Sequence, residues 1–205
     1  MLSILQIRVI TVFMIDPDIP MLISKFTEKG YITARIRTLP EGVGISFIEP
    51  PNIIAGKGTI KVDYDFGRKA LGIESPNFKE ISASLDEIWN CLKEINVDIE
   101  KALIPYEVTI IGEAFLKPKF SDNKYIFKNL FDFDLKLMEA GFIGEGKDPN
   151  SNEWFYLKLS PIWSSYKIDE KSLYRITIVY RDKKTKIINF IENIESNLKN
   201  LLKEL

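Results

Sequence analysis

The sequence contains no histidine among its 205 residues. Histidine is the side chain whose ordinary pKa lies near neutrality, and it is the commonest metal ligand in proteins. Its absence removes the usual general base and the usual ligand from any site. We therefore expect no catalytic residues, no metal and no cofactor, although an enzyme that relies on carboxylates, lysine and tyrosine stays open.

Cysteine is nearly absent as well, because Cys91 is the single one and no intramolecular disulfide can form. One cysteine fits a reducing compartment. No stretch reaches 18 uninterrupted apolar residues. The apolar segment 1–15 contains Gln6 and Arg8 and lacks a small-residue cleavage site, unlike a signal peptide. We expect a cytoplasmic protein without a membrane span.

The chain also lacks an excess of either charge, since 28 Lys and Arg stand against 29 Asp and Glu. Dedicated nucleic-acid binders carry a basic excess that releases counterions. Nucleic acid is therefore an unlikely partner. Glutamine occurs once, at Gln6, while Ile, Lys and Glu are abundant. This bias is typical of hyperthermophile proteins, and an AT-rich genome produces it as well.

A weak internal repeat is the most informative feature that is present. Segment 28–32 (EKGYI) is echoed by 139–143 (EAGFI), and 48–50 (IEP) by 159–161 (LSP). Both echoes lie 111 positions apart, since 30 and 141, and likewise 50 and 161, differ by that number. A repeat suggests duplication of one unit. We predict two similar α+β halves, residues 1–100 and 101–205, which share one sheet or interface because each is marginal alone.

Hydrophobic periodicity predicts the order β-α-β-β-β-β-α for the first half. Gly30 suits the left-handed position that ends the first helix. The predicted strands are 3–15, 31–38, 43–48, 59–66 and 70–73, and the predicted helices are 19–26 and 77–95.

The second half follows a similar order, β-α-β-β-β(-β)-α. Gly141 takes the place of Gly30 after a helix, and the charged segment 181–184 is predicted to be a turn. The predicted strands are 106–116, 142–146, 153–159 and 173–180, and the predicted helices are 125–140 and 187–205.

These elements predict an α+β fold of two similar β-α-β(3-4)-α halves. Each amphipathic helix must bury its apolar stripe, and an antiparallel sheet can leave its other face to solvent. We expect an antiparallel sheet with helices on one face. In outline the order of elements is similar to the TATA-binding-protein fold and, less closely, to the helix-grip fold of ligand carriers.

The segment 56–59 (GKGT) resembles part of a phosphate-binding loop. That loop requires Gly, four residues, then Gly-Lys-Ser/Thr, and it opens a helix. Here Pro51 stands in place of the first glycine and Gly58 in place of the hydroxyl residue, and a strand follows. We predict a hairpin turn.

Two aspartates, Asp63 and Asp65, share one face of a predicted strand. Paired carboxylates can bind a hard cation or divide acid and base roles. Ion pairing with Lys61 or Arg68 on a solvated surface explains them as well, and we favour that interpretation. Cys91 lies well inside a predicted helix without a histidine partner, so we expect a structural thiol.

The uncovered face of the sheet is the predicted binding site. Arginine is enriched at interfaces and suits bidentate recognition of carboxylate or phosphate. The polar residues assigned to this face are Arg8, Thr33, Arg35, Arg37, Asp63, Asp65, Glu113, Tyr156, Lys158, Arg175 and Thr177.

The favoured function is a non-enzymatic module that binds a protein partner or its own copy through this face. One alternative is a nucleic-acid module in which Arg8, Arg35, Arg37 and Arg175 contact phosphates. The other is a carrier of small apolar ligands, with a cavity between the sheet and the last helix. The sequence does not identify a partner.

Overall fold

The computed structural model describes residues 3–48, 52–98, 103–118, 127–130, 133–135, 137–144, 148, 150–167 and 170–204. In chain order the elements are β1 (Ser3–Phe13), α1 (Ile19–Glu28), β2 (Ile32–Thr33), β3 (Arg35–Leu39), β4 (Gly42–Ser46), β5 (Ile53–Lys57), β6 (Ile60–Asp65), β7 (Ala70–Ser75), α2 (Phe78–Glu94), β8 (Leu103–Leu116), β9 (Phe127–Leu130), β10 (Phe133–Leu135), β11 (Ala140–Ile143), β12 (Trp154–Pro161), a short 3₁₀ helix (Trp163–Ser165), β13 (Ser172–Asp182), α3 (Lys184–Glu192) and α4 (Ile194–Glu204).

A nine-stranded sheet carries the fold, in the order β11-β12-β13-β8-β1-β7-β6-β5-β2. Neighbouring strands are antiparallel throughout. The first strands of the two predicted halves, β1 and β8, lie side by side at its centre, where Ile7 is opposite Ile110. Strands from residues 1–100 and from 101–205 therefore lie in one sheet.

Local chemistry explains where the first two helices begin and end. The Asp18 carboxylate accepts a hydrogen bond from the Met21 amide at 2.9 Å, which caps α1. Gly30, with φ of +80°, follows its last turn. The Asn77 side chain caps α2 by accepting from the Lys79 amide at 3.1 Å. Both helices of the first half were predicted from the sequence and are confirmed.

The helices cover one side of this sheet. On β1 the core side holds Ile7 and Val9, which are almost fully buried, and Leu22 of α1 and Ile88 of α2 belong to the same cluster. Ile187 of α3 extends the cluster toward β8 and β13. The prediction of an α+β fold with a large antiparallel sheet and helices on one face is thus confirmed.

The predicted helix 125–140 is wrong. Two short strands, β9 and β10, pair with each other within that range, and Gly141 lies in strand β11. The sequence 131–137 (FDFDLKL) alternates apolar and polar residues, a period of two that favours strands over the helical period. Gly30 and Gly141 therefore do not occupy equivalent positions, and the internal duplication stays a prediction.

Two smaller corrections concern β5 and the last predicted helix. Strand β5 was not predicted. The predicted helix 187–205 is divided at Asn193, whose side-chain Nδ2 donates to the backbone carbonyl of Asn189 at 2.8 Å. The segment 56–59 forms the expected hairpin turn, with Gly58 at φ of +60°. Pro50, part of the second echo, lies outside the described residues. None of the described helices is long and apolar enough to cross a bilayer.

Candidate functional site

The side of the sheet that faces away from the helices is a continuous surface, which we call the open face. On β1, Arg8, Ile10 and Val12 alternate with the core residues and are half-buried. The strand registers place on the same side Lys61, Asp63 and Asp65 of β6, Ala70, Gly72 and Glu74 of β7, Glu107, Thr109, Ile111 and Glu113 of β8, Arg175, Thr177, Val179 and Arg181 of β13, and Trp154, Tyr156, Lys158 and Ser160 of β12.

Arg8 forms the central ion pairs of the open face. Its Nη2 donates to Oδ1 of Asp63 at 2.7 Å, and its Nη1 donates to Oε2 of Glu74 at 3.3 Å. Glu74 is directly opposite Arg8 in the register, whereas Asp63 lies one strand further away. The guanidinium therefore reaches across β7 and divides its donors between two carboxylates.

Two further arginines pair across neighbouring strands. Arg181 donates from Nη2 and Nε to Oε2 of Glu107, at 2.6 and 3.0 Å. Arg175 donates from Nη2 to Oε1 of Glu113 at 3.0 Å. Both carboxylates are the direct register partners of their arginines. Opposite charges in such positions stabilise strand pairing and fix its register.

Between the Arg8 and Arg181 pairs the open face is concave. The concavity has a volume of about 320 Å³, at the small end of the range for ligand pockets. Its floor is apolar and its rim carries both signs of charge. The lining residues are Arg8, Ile10, Val12, Asp63, Asp65, Arg68, Ala70, Gly72, Glu107, Asn152 and Arg181.

Asp63 is the most deeply buried charged group in this concavity, with only 8% of its surface exposed. Its Oδ1 accepts from Arg8, but its Oδ2 is buried and has no hydrogen-bond partner. Burial raises the pKa of Asp63, and the nearby Arg8 offsets this only in part. Asp63 is therefore a carboxylate that lacks one donor.

Asp65 has a different role from Asp63. Its Oδ1 accepts from the backbone amides of Gly67 and Arg68, at 2.9 and 3.1 Å, which stabilises the turn from β6 to β7. Arg68 Nε lies 3.7 Å from its other oxygen. The two aspartates therefore have separate partners.

Gly72 makes the close approach of Arg8 and Asp63 possible. A Cβ at this position would lie 2.3 Å from Oδ2 of Asp63 and 2.6 Å from Nη2 of Arg8. Since real Cβ atoms do not come so close to other atoms, both side chains would have to move.

We predict that Gly72→Ala lowers the free energy of unfolding by about 1 kcal/mol, because displacing the Arg8–Asp63 pair outweighs the better strand propensity of alanine. Urea unfolding checks this. Gly56→Ala in strand β5 is the matched control, since its Cβ would meet its nearest atom at an ordinary 3.5 Å. Equal stability of the two variants would contradict the prediction.

An aromatic pair borders the open face on β12. The rings of Trp154 and Tyr156 are stacked, with centroids 5.7 Å apart and planes 13° apart. The guanidinium of Arg181 lies 5.7 Å from the Trp154 ring, within the range of a cation–π contact. The indole nitrogen of Trp154 is buried without a hydrogen-bond partner. Such amphipathic rings are common in binding surfaces.

The predicted site residues separate into three groups. Arg8, Asp63 and Asp65 come together at the concavity. Three others, Tyr156, Lys158 and Arg175, lie on the open face but outside the concavity. Those that do not lie on the large sheet are Arg35 and Arg37.

The prediction that Arg35 and Arg37 lie on the open face needs correction. They lie on β3, which pairs with β4 in a separate two-stranded sheet, so placing them on the common face was wrong. Residues 31–38 alternate as a single strand would, but they form two strands. The large sheet ends with β2 at Thr33, and Arg35 begins β3.

Sequence reasoning missed Gly72, Glu74, Glu107 and Arg181. Arg181 was assigned to a turn, but β13 continues through Asp182. Arg181 lies on the same side of β13 as Arg175, so a predicted strand that extended to residue 181 would have placed Arg181 on the open face. Glu107 likewise continues the alternation that contains Glu113. No sequence pattern indicated the role of Gly72.

The alternative of an apolar-ligand carrier, with a cavity between the sheet and the last helix, stays a prediction. Between α2 and α3 the described residues enclose about 40 Å³, room for little more than one water molecule. Cys91 is buried in α2, and burial raises the pKa of its thiol, as expected for a structural cysteine. Within the described part of the chain, no group of three or more acidic or cysteine residues is arranged to hold a metal.

Fold and site together define an α+β protein with helices on one side of a large antiparallel sheet and a charged, concave surface on the other. No protein-family model matches the chain, and no curated protein matches its sequence. Among solved structures the chain is similar to the TBP of Methanococcus jannaschii, with a TM-score of 0.33 and 12% identity, over 99% of this chain and 97% of that chain.

Proposed function

We propose that this protein is a non-enzymatic binding module that holds a protein partner, or a second copy of itself, on the open face. The observation that carries the proposal is a surface of mixed character. Half-buried Ile10, Val12, Ile111 and Val179 alternate with charged residues across the centre of the sheet. Interfaces between proteins combine such apolar areas with polar groups, and arginine and aromatic residues are enriched there.

The ion pairs favour a protein over a nucleic acid. The guanidinium groups of Arg8, Arg175 and Arg181 donate to carboxylates of the same face. A phosphate would have to displace these carboxylates or lie beside them. The net charge of −1 supplies no compensating attraction for a polyanion.

Site-specific photo-crosslinking tests the proposal. p-Benzoylphenylalanine replaces Phe115, which is 63% exposed on the open face, or Tyr156, and both changes keep an aromatic ring. Asn90, exposed on α2, is the matched position on the helix side. After irradiation in cells, we expect defined protein adducts, or an adduct of twice the chain mass, from the two open-face positions and none from Asn90.

Other outcomes would contradict the proposal. Adducts that nuclease removes would indicate a nucleic-acid partner instead. Adducts formed only from Asn90 would place the interface on the helices. No adduct from either open-face position would indicate a surface that is simply solvated, as antiparallel sheets allow.

A further inference from the structure

The hairpin of β3 and β4 lies outside the large sheet and exposes every residue of β3. On β3, Arg35 and Arg37 alternate with Ile36, which is directly opposite Ile45 of β4. Ile45 packs against the hydrophobic core. Because opposite residues of an antiparallel pair point to the same side, Ile36 shares the side of Ile45. The two arginines therefore stand on the side of the hairpin that faces away from the core.

These two arginines have no carboxylate beside them. Their register partners on β4 are Ser46 and Gly44. Neither guanidinium forms a hydrogen bond or an ion pair with the part of the chain that the structure describes. The one acidic residue of the hairpin, Glu41, lies in its turn. The hairpin thus presents two uncompensated positive charges at alternating positions of one strand.

The arginines in the strands of the large sheet show what β3 is missing. Each of them contacts a carboxylate that lies directly opposite on the neighbouring strand. These pairs are Arg8–Glu74, Arg175–Glu113 and Arg181–Glu107. Opposite charges in such positions stabilise strand pairing. Strand β3 has β4 on one edge, and among the described strands it has no neighbour on the other edge, which we call the outer edge.

The outer edge of β3 suits an added strand. Unpaired backbone groups of an edge strand are a template for pairing with another chain. A two-stranded sheet is only marginally stable in water, and a third strand with an apolar side stabilises it. Ile36 is 41% exposed between the two arginines and on the opposite side from them. A third strand would place one apolar residue beside Ile36 and one residue opposite each arginine, since its side chains alternate as well.

We propose that the outer edge of β3 binds an extended segment of a partner protein with carboxylates at alternating positions, opposite Arg35 and Arg37, and an apolar residue between them, opposite Ile36. This site lies outside the open face, so the inference goes beyond the proposed function and does not depend on it. A nucleic acid could offer phosphates to the arginines. The period of two along β3 matches a neighbouring strand, however, and the net charge of −1 supplies no general attraction for a polyanion.

Three terminally blocked peptides test the site in the wild-type protein. Thr-Glu-Val-Glu-Val-Thr has the proposed spacing, Thr-Glu-Glu-Val-Val-Thr has the same charge with its carboxylates on opposite sides of a strand, and Thr-Gln-Val-Gln-Val-Thr has no charge. Binding is followed by NMR through the backbone amides of β3, with those of β8 as an internal reference. We expect saturable shifts with the first peptide and about fivefold or weaker binding of the other two, because each loses cross-strand charge pairs.

A matched set of variants assigns the preference to the two arginines. The double variant Arg35→Gln with Arg37→Gln should bind the first and third peptides with affinities that agree within about twofold. Arg68→Gln changes another exposed arginine, in the turn from β6 to β7, and should keep the wild-type preference. All three arginines are exposed, so we expect these variants to fold, and their NMR spectra check it. The comparison of peptides in the wild type needs no variant.

Each other result overturns the inference. Equal binding of the two acidic peptides would make the hairpin a general anion site. Tighter binding of a thymidine hexanucleotide than of the first peptide would indicate a nucleic acid instead. No saturable shift in β3 would mean that the arginines only protect an exposed edge from pairing. Photo-crosslinking from Phe115 and Tyr156 reports on the open face alone, so adducts there would preserve the proposed function when the hairpin site fails, and peptide binding without such adducts would overturn only the proposed function.

Discussion

Replacing Ile110 by alanine should lower the free energy of unfolding by about 3 kcal/mol, and the same change at Ile111 by about 1 kcal/mol. The two residues are neighbours on β8, which lies beside β1 at the centre of the sheet. Ile110 is 2% exposed and belongs to the core under the helices. Ile111 is half-buried on the open face, so its removal exposes less apolar surface and leaves no closed cavity.

Urea unfolding of both variants and the wild type gives the two differences, provided that the slope with denaturant is unchanged. The pair serves as its own control, because the two residues are of the same type and are neighbours on one strand. Equal losses at the two positions would mean that both sides of the sheet are packed, and the description of an open face would then be wrong. If the protein self-associates through the open face, Ile111→Ala should lower the association constant. Ile110→Ala should instead lower the free energy of unfolding.

Much of the fold could be predicted because its elements are marked locally. Helix α1 has a capping aspartate before it and Gly30 after it, and α2 has Asn77 at its start. The one-sided burial of β12 and β13 follows from the alternation of apolar and polar residues in 157–160 (LKLS) and 174–178 (YRITI). These features depend on neighbouring residues only, so a single sequence contains them.

The arrangement of the site was harder to predict, because it depends on which strands become neighbours. Arg8 and Asp63 are separated by 55 positions and meet only because β7 lies between their strands. Gly72 has no distinctive sequence context, and its importance arises from these two side chains. Arg35 belonged to the expected face by alternation, but its strand pairs with β4 outside the large sheet. Local patterns do not determine such pairings.

Removing the cation from the centre of the open face should destabilise the protein. We predict that Arg8→Met, which keeps the length of the side chain but removes its charge, costs about 2 kcal/mol at neutral pH, because Asp63 is left buried and charged. The value is below that of a fully buried ion pair, since the Arg8 side chain is 31% exposed. Arg175→Met removes the cation of the exposed Arg175–Glu113 pair and should cost less than about 1 kcal/mol.

The pH dependence of this loss identifies its cause. Burial raises the pKa of Asp63 in the folded state, so the folded protein favours the protonated carboxyl. The stability that Asp63 contributes is therefore full below its unfolded pKa and is lost as the pH rises through its folded pKa. Without Arg8 that folded pKa rises further, and the cost of Arg8→Met should shrink as the pH is lowered toward 4.

Adding Asp63→Asn should remove most of this pH dependence and recover part of the stability, because no buried charge then remains to be neutralised. Thermal unfolding of the single and double variants between about pH 4 and pH 8 measures both effects, and a cost that does not change with pH would mean that Arg8 stabilises the sheet by packing and not by its charge.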